Sequence, residues 1–189
     1  MTTIVAVRKN GVAAIAADTL TTFGNTRLCA RQDASHDKIL RIGDSYVGVC
    51  GSAAHHLVLA SLLAKASPVE LNSKQAIFET FRRLHPLLKE ECFLNPKEDE
   101  EDPYESSQIT ALIANAHGIF GIYSMREVFE YTEFWAIGSG HEFALGAMYE
   151  CYAHHAHAMD IALAGVKAGI AFDKNSEAPI TQYSVALSG

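Results

Sequence analysis

The sequence predicts an α+β fold in which antiparallel sheets are covered by helices. Three observations carry this prediction. Apolar runs are joined in pairs by tight-turn signals, Asn10-Gly11 between the first two and Gly43-Asp44 between the next two, as antiparallel hairpins require. Val12 to Ala17 is almost wholly apolar, which implies burial on both faces. Helical patterns come in pairs between groups of strands, in the order strands, two helices, strands, two helices, strand. That order suggests two sheets covered by helices.

The elements follow one another without a repeat or a dividing linker. Thr3 to Arg8 reads as the first strand and Val12 to Ala17 as its hairpin partner. Thr21 to Ser35 reads as a loop, with Gly24-Asn25 as a turn signal. Lys38 to Ile42 and Tyr46 to Cys50 form the second hairpin. Ser52 can cap a helix running to about Lys65. Asn72 or Ser73 can start another, with Ile77, Phe78, Phe81, Leu84 and Leu88 at helical spacing and Pro86 expected to kink or divide it. An acidic loop bracketed by prolines, Asn95 to Pro103, precedes strands at Gln108 to Ala114 and Ile119 to Tyr123. Glu127 to Ile137 is extended, Gly138-Ser139-Gly140 breaks it, and His141 to Tyr152 is helical. Met159 to Ala171 is an Ala-rich helix, and Ile180 to Leu187 closes with a strand.

Bulk properties narrow the function classes. The 189 residues fit one domain, 1–189, long enough to bury a large core. Apolar residues make up 49% and charged residues 20%, an ordered globular balance. A net charge of −7 argues against a nucleic-acid partner, which calls for clustered Lys and Arg. Cys29, Cys50, Cys92 and Cys151 are scattered, with no CxxC pair, as expected of reduced thiols in a cytoplasmic protein rather than of a zinc site or a disulfide framework. No basic-then-apolar leader and no bilayer-length apolar run are visible, so neither secretion nor a membrane partner is expected.

The chemistry concentrates at the N-terminus. Thr2 and Thr3 follow Met1 directly and lead straight into a strand. A small second residue favours removal of the methionine, leaving a threonine that carries a hydroxyl nucleophile and its own base, the α-amine. That amine titrates at about 7.7–8.0 when unperturbed, and a nearby cation would lower it towards neutrality. Asp18 and Lys38, near the ends of neighbouring predicted strands, could supply such a cation and the carboxylate that holds it. Alone, each has a plainer reading: Thr2 as merely permissive for Met1 removal, Asp18 as a turn residue, Lys38 as a solvated strand end.

Four segments in order now bear a resemblance. Thr2 to Gly11 followed by Ala16-Ala17-Asp18 resembles the start of the bacterial peptidase HslV. Asp37-Lys38-Ile39 with Gly51-Ser52-Ala53-Ala54 resembles the central segment of proteasome β-subunits. Ala136-Ile137-Gly138-Ser139-Gly140 matches the family's Gly-Ser-Gly element, and Asp173-Lys174-Asn175-Ser176 its late Asp-x-x-Ser. The sequence is thus similar to the proteasome β-subunit/HslV family of N-terminal-nucleophile (Ntn) hydrolases, most of all to its betaproteobacterial homologues, with HslV second.

The resemblance implies a four-layer αββα sandwich and a threonine-type endopeptidase that cleaves unfolded polypeptides inside a double ring of identical subunits. Two heptamers are favoured and two hexamers come second. An AAA+ ATPase unfoldase is the implied partner, and peptide cleavage needs no cofactor or metal. Thr2 would be the nucleophile, tuned by Asp18 and Lys38. The backbone N–H of Gly51 would be the oxyanion donor, and Ser139, Asp173 and Ser176 would support the terminal amine. Thr21, Val49 and Ala53 would shape the substrate pocket, and the apolar pair suggests a preference for apolar side chains.

The sequence departs from the family pattern in four places. His55 stands where an Asp is usual, and Glu177-Ala178 where two glycines are common. The stretch between Asp18 and Lys38 is several residues longer than usual, and the acidic loop Glu98 to Asp102 is an addition. That loop reads as a solvated segment, with a docking or pore role as the alternative. His55 and His56 are expected to line the chamber or a subunit contact, and His154, His155 and His157 to be surface or interface residues rather than metal ligands. Two other functions stay open at this point: a ring-forming scaffold without activity, and an amidase acting on a small molecule. Gly138-Ser139-Gly140 is no phosphate loop, since it lacks the further glycines and the Lys-Ser/Thr ending.

Overall fold

The computed structural model describes residues 2–66, 68–97 and 101–188; Met1 and the acidic residues Glu98, Asp99 and Glu100 lie outside them. A first sheet of four strands has the order β10-β1-β2-β11, with β1 at Ile4–Lys9, β2 at Val12–Ala17, β10 at Phe134–Ile137 and β11 at Thr181–Ala186. A second sheet runs β5-β6-β7-β8-β9, with β5 at Ile39–Ile42, β6 at Ser45–Cys50, β7 at Thr110–Asn115, β8 at Gly118–Ile122 and β9 at Val128–Tyr131. Every neighbouring pair in both sheets is antiparallel. Helices α1 (Ala53–Lys65) and α2 (Lys74–Glu90) supply apolar residues to one core, and α3 (His141–Tyr152) and α4 (Ala158–Phe172) to another.

The period of two along each strand builds the layers. In β1, Ile4 and Ala6 point into the core between the sheets, while Val5 and Val7 point at α3 and α4. In β7, Leu112 and Ala114 join the same inter-sheet core, and Ala111 and Ile113 face α1 and α2. Three apolar cores between four layers make the αββα sandwich. Val12 to Ala17 is buried on both faces because β2 lies between β1 and β11 with a core on either side. Each fully buried Ile or Leu contributes about 1.5–3 kcal/mol to holding the layers together. The sheets approach closely at Gly48, where a Cβ would stand 2.7 Å from Ile4 Cγ2. Ser52 and Ser73 cap α1 and α2, accepting from the N–H groups of Ala54 and Ala76.

Three expectations are corrected. Thr21 to Ser35 is not all loop, because Thr21–Phe23 (β3) and Thr26–Leu28 (β4) pair as a separate hairpin about the Gly24 turn, followed by a 3-10 turn at Ala30–Gln32. The strands are short and largely polar, so no hydrophobic alternation marked them. Pro86 does not divide α2, which is helical throughout. It faces solvent, as does Arg82, whose carbonyl loses its partner to the proline and can bond water instead. Glu127 to Ile137 is two strands rather than one, since β9 belongs to the five-stranded sheet and β10 to the four-stranded sheet. The chain crosses between sheets at Thr132-Glu133, the two polar residues between β9 and β10.

Candidate active site

Thr2 sits just before β1 with 2% of its surface exposed. Its position follows from the pairing of β1 with β2 and β10, which brings Asp18, at the end of β2, and Gly138-Ser139, at the end of β10, alongside it. Thr2 Oγ1 donates to Asp18 Oδ1 at 2.6 Å, and Lys38 Nζ donates to the same carboxylate oxygen at 2.8 Å and to Thr2 Oγ1. Asp18 is fully buried. Backbone N–H groups hold its charge in place: Thr3 on Oδ1 at 2.9 Å, Leu20 on Oδ2 at 2.9 Å, and Glu177 on Oδ2 at 3.2 Å.

Lys38 is positioned by the residue before it. Asp37 accepts from Ile39 N–H at 2.9 Å and from the Tyr183 hydroxyl at 2.5 Å, tying the start of β5 to β11 of the other sheet. That carboxylate pushes the Tyr183 phenol up to about 12. Tyr46 stacks on Tyr183 with ring centroids 4.6 Å apart. Burial lowers the Lys38 ammonium below its ordinary value, and the attraction of Asp18 offsets this only in part.

A second hydrogen-bonded chain serves the backbone of Thr2. Thr2 N–H donates to Ser139 Oγ at 3.2 Å, and Ser139 donates to Asp173 Oδ2 at 2.6 Å. Ser176 donates to the same Asp173 oxygen at 2.9 Å and shares a 2.7 Å hydrogen bond with Thr3 Oγ1. Burial alone would raise the Asp173 carboxyl, but hydrogen bonds from Ser139, Asn175 and Ser176 prevail and hold it below its ordinary value. The two glycines flanking Ser139 allow the close approach. Gly138 has φ of +92°, a Cβ there would lie 2.7 Å from Thr2 Cγ2, and Gly140 N–H donates to the Thr2 carbonyl at 3.3 Å.

Thr2 opens onto a cleft of about 290 Å³. Gly51, Thr21, Val49 and Ala53 all line it, together with Lys38 and the hairpin residues Thr22, Phe23 and Leu28. Gly51 has φ of +116°, a conformation that favours glycine. All ten residues singled out in the sequence therefore gather here: Thr2, Asp18, Lys38, Ser139, Asp173 and Ser176 by hydrogen bonds, and the other four through the cleft wall. Sequence reasoning missed Thr3, whose N–H and hydroxyl join the two networks, and Cys50, whose thiol burial pushes up to about 11. It also missed the backbone of Glu177. Adjacency to a proposed nucleophile was the one signal for Thr3.

The histidines divide between cleft and surface. His56 lines the cleft, and burial lowers both His55 and His56. His55 Nδ1 and His56 Nε2 are shielded from water without a hydrogen-bond partner among the described residues. His154, His155 and His157 are exposed, and among the described residues no group of three metal-ligating side chains is gathered. No helix among them is long and apolar enough to cross a membrane.

A threonine before the first strand of an αββα sandwich, bonded to a buried carboxylate and a lysine, defines the Ntn-hydrolase fold of proteasomes and HslV. A sequence model of the proteasome subunit family matches residues 1–183, and the chain belongs to that family. The structure is similar to BPH of Thiobacillus denitrificans in complex with epoxomicin, with 42% identity, 99% of this chain and 100% of that chain covered, and a TM-score of 0.91. A second structure of Thiobacillus denitrificans BPH gives 43% identity, 98% of each chain and a TM-score of 0.91. HslV of Trypanosoma brucei shares the fold at 20% identity, with 97% of this chain and 99% of that chain covered and a TM-score of 0.72. The comparison with curated proteins gave no match.

Proposed function

We propose that this chain is a threonine peptidase whose nucleophile is Thr2 after removal of Met1. One observation carries the reading: Thr2 Oγ1 is held between Lys38 Nζ and Asp18 Oδ1 at the wall of a substrate-sized cleft. The likeness to a BPH structure in complex with epoxomicin supports it. So does the membership of a family whose members form ring-shaped oligomers.

In this reading, loss of Met1 turns the Thr2 nitrogen into an amine that serves as general base. The amine takes the Oγ1 proton through a water while Oγ1 attacks the peptide carbonyl. Lys38 favours the developing alkoxide, and the Gly51 N–H stabilises the oxyanion that forms only on the way to the tetrahedral intermediate. The amine returns the proton to the departing peptide nitrogen, leaving an ester between Thr2 and the acyl fragment. Water then cleaves that ester, restoring the hydroxyl and releasing a carboxylic acid. Ser139 and the carboxylate of Asp173 hold the amine in place throughout. The residues supply every proton transfer, so no cofactor is invoked.

The reading extends to a double ring that encloses Thr2, two heptamers before two hexamers, acting in the cytoplasm on polypeptides delivered unfolded by an AAA+ ATPase. Its test is hydrolysis of fluorescently quenched casein and of a short apolar fluorogenic peptide by native protein and by Thr2→Ala. Cleavage of both by native protein alone supports it. Equal rates for the two proteins would reject it.

A further inference from the structure

We propose that Glu177 is a positioning residue that fastens the β3–β4 hairpin over the substrate cleft and couples it to Asp18. The proposal rests on the peptidase reading of Thr2 for its kinetic consequence, though not for its structural one.

The backbone of Glu177 grips the base of the hairpin. Its N–H donates to Asp18 Oδ2 at 3.2 Å, and its carbonyl accepts from Thr19 N–H at 3.1 Å. Leu20 follows, and β3 starts at Thr21. The side chain of the same residue reaches the returning strand, β4, where Arg27 stands opposite Thr22. Arg27 Nη2 on β4 lies 3.2 Å from Glu177 Oε2, within ion-pair range though not aligned as a hydrogen bond, and the oxygen is shielded from water. The Cys29 thiol, one residue beyond β4, is raised above its ordinary value by its interaction with the Glu177 carboxylate first and by burial second. One residue thus holds both ends of a segment that carries Thr21, Thr22, Phe23 and Leu28 along the cleft wall.

The hairpin needs such a tether. It pairs three residues with three in a sheet of its own, and a two-stranded ribbon is marginal in water. Neither strand contributes to the three apolar cores. A change at Glu177 is therefore expected to loosen the cleft wall, weakening substrate binding before it affects chemistry at Thr2.

The experiment compares the full-length native protein with Glu177→Ala, Arg27→Met, their double variant and Glu177→Gln. Hydrogen–deuterium exchange over residues 21–28 reads the tether without any activity. The expected result is exchange about five times faster in each single variant, no further gain in the double, and an intermediate value for Glu177→Gln. With a fluorogenic peptide, KM should rise about three- to tenfold while kcat stays within about twofold. Unchanged exchange in Glu177→Ala, or effects that add fully in the double variant, would overturn the proposal. If exchange responds as expected but native protein neither cleaves peptide nor reacts with an epoxyketone, the tether stands and the peptidase reading fails. If exchange responds and KM is unmoved in an active enzyme, the claim that Glu177 positions the cleft is overturned.

Discussion

Thr2 Oγ1 lies 2.6 Å from Asp18 Oδ1, an oxygen that also takes hydrogen bonds from Lys38 Nζ and Thr3 N–H. The hydroxyl proton is therefore drawn towards the carboxylate while a cation stands beside the oxygen that would attack. This geometry ranks two substitutions. Asp18→Asn keeps one carbonyl oxygen and turns an amide towards backbone N–H groups that need an acceptor, so it should cost about 2–4 kcal/mol of stability. Lys38→Met leaves the Asp18 carboxylate with its remaining donors, so it should cost less, yet lower peptide turnover about a hundredfold or more. Urea denaturation together with kcat/KM on one fluorogenic peptide checks the ranking.

Gly138→Ala should damage both the fold and the site. The positive φ of +92° is strained for alanine, and the new Cβ would overlap the carbonyl of Thr2. The expected loss is about 2–4 kcal/mol, with labelling of Thr2 by a peptide epoxyketone reduced even in the folded fraction. Gly146→Ala, where a Cβ meets nothing within 4 Å, is the matched control, with little loss of either. Thermal melts and a labelling time course compare the two.

The acid limb of stability should depend on Asp173. Its folded carboxyl is held below the ordinary 3.8 by hydrogen bonds that prevail over burial. Between the folded value and 3.8 the unfolded chain binds more protons, so stability rises with pH there. The contribution is complete above 3.8 and is lost as pH falls through the folded value. Ser139→Ala removes the donor at 2.6 Å and should move the loss of stability to higher pH. Acid titrations of native and variant protein, followed by circular dichroism, read the shift.

Cys50 faces the cleft, and burial pushes its thiol up to about 11. At pH 8 about one such thiol in a thousand is ionised, so alkylation should be slow despite the cleft beside it. Brief treatment with iodoacetamide at pH 8 should leave peptidase activity intact, and the same treatment at pH 10 should inhibit it. Cys50→Ser should abolish that pH-dependent inhibition. Residual activity after alkylation, with the modified residue located by mass spectrometry, is the measurement.

What could be read from the sequence follows from how locally each feature is encoded. The paired hairpins, the caps at Ser52 and Ser73 and the doubly buried Val12 to Ala17 depend on neighbouring residues, and the structure has them where expected. The split of Glu127 to Ile137 depends on which sheet each half joins, a long-range choice that local strand-forming pattern does not reveal. Pro86 misled because a proline on a solvent-facing helical position loses one hydrogen bond without losing the helix. At the site, the side chains of Thr2, Asp18 and Lys38 were legible through their types and their resemblance. The contributions of Thr3, Leu20 and Glu177 to holding Asp18 come from backbone N–H groups, which every residue carries and no pattern announces.

The central claim is that Thr2, freed of Met1, is a competent nucleophile. Intact-mass measurement of native protein before and after incubation with a peptide epoxyketone tests it most directly, because that probe needs both a free terminal amine and the threonine hydroxyl. The account predicts a mass lacking Met1 that gains one probe per chain, with no gain in Thr2→Ala. A mass lacking Met1 that gains nothing would contradict it and favour a ring-forming scaffold.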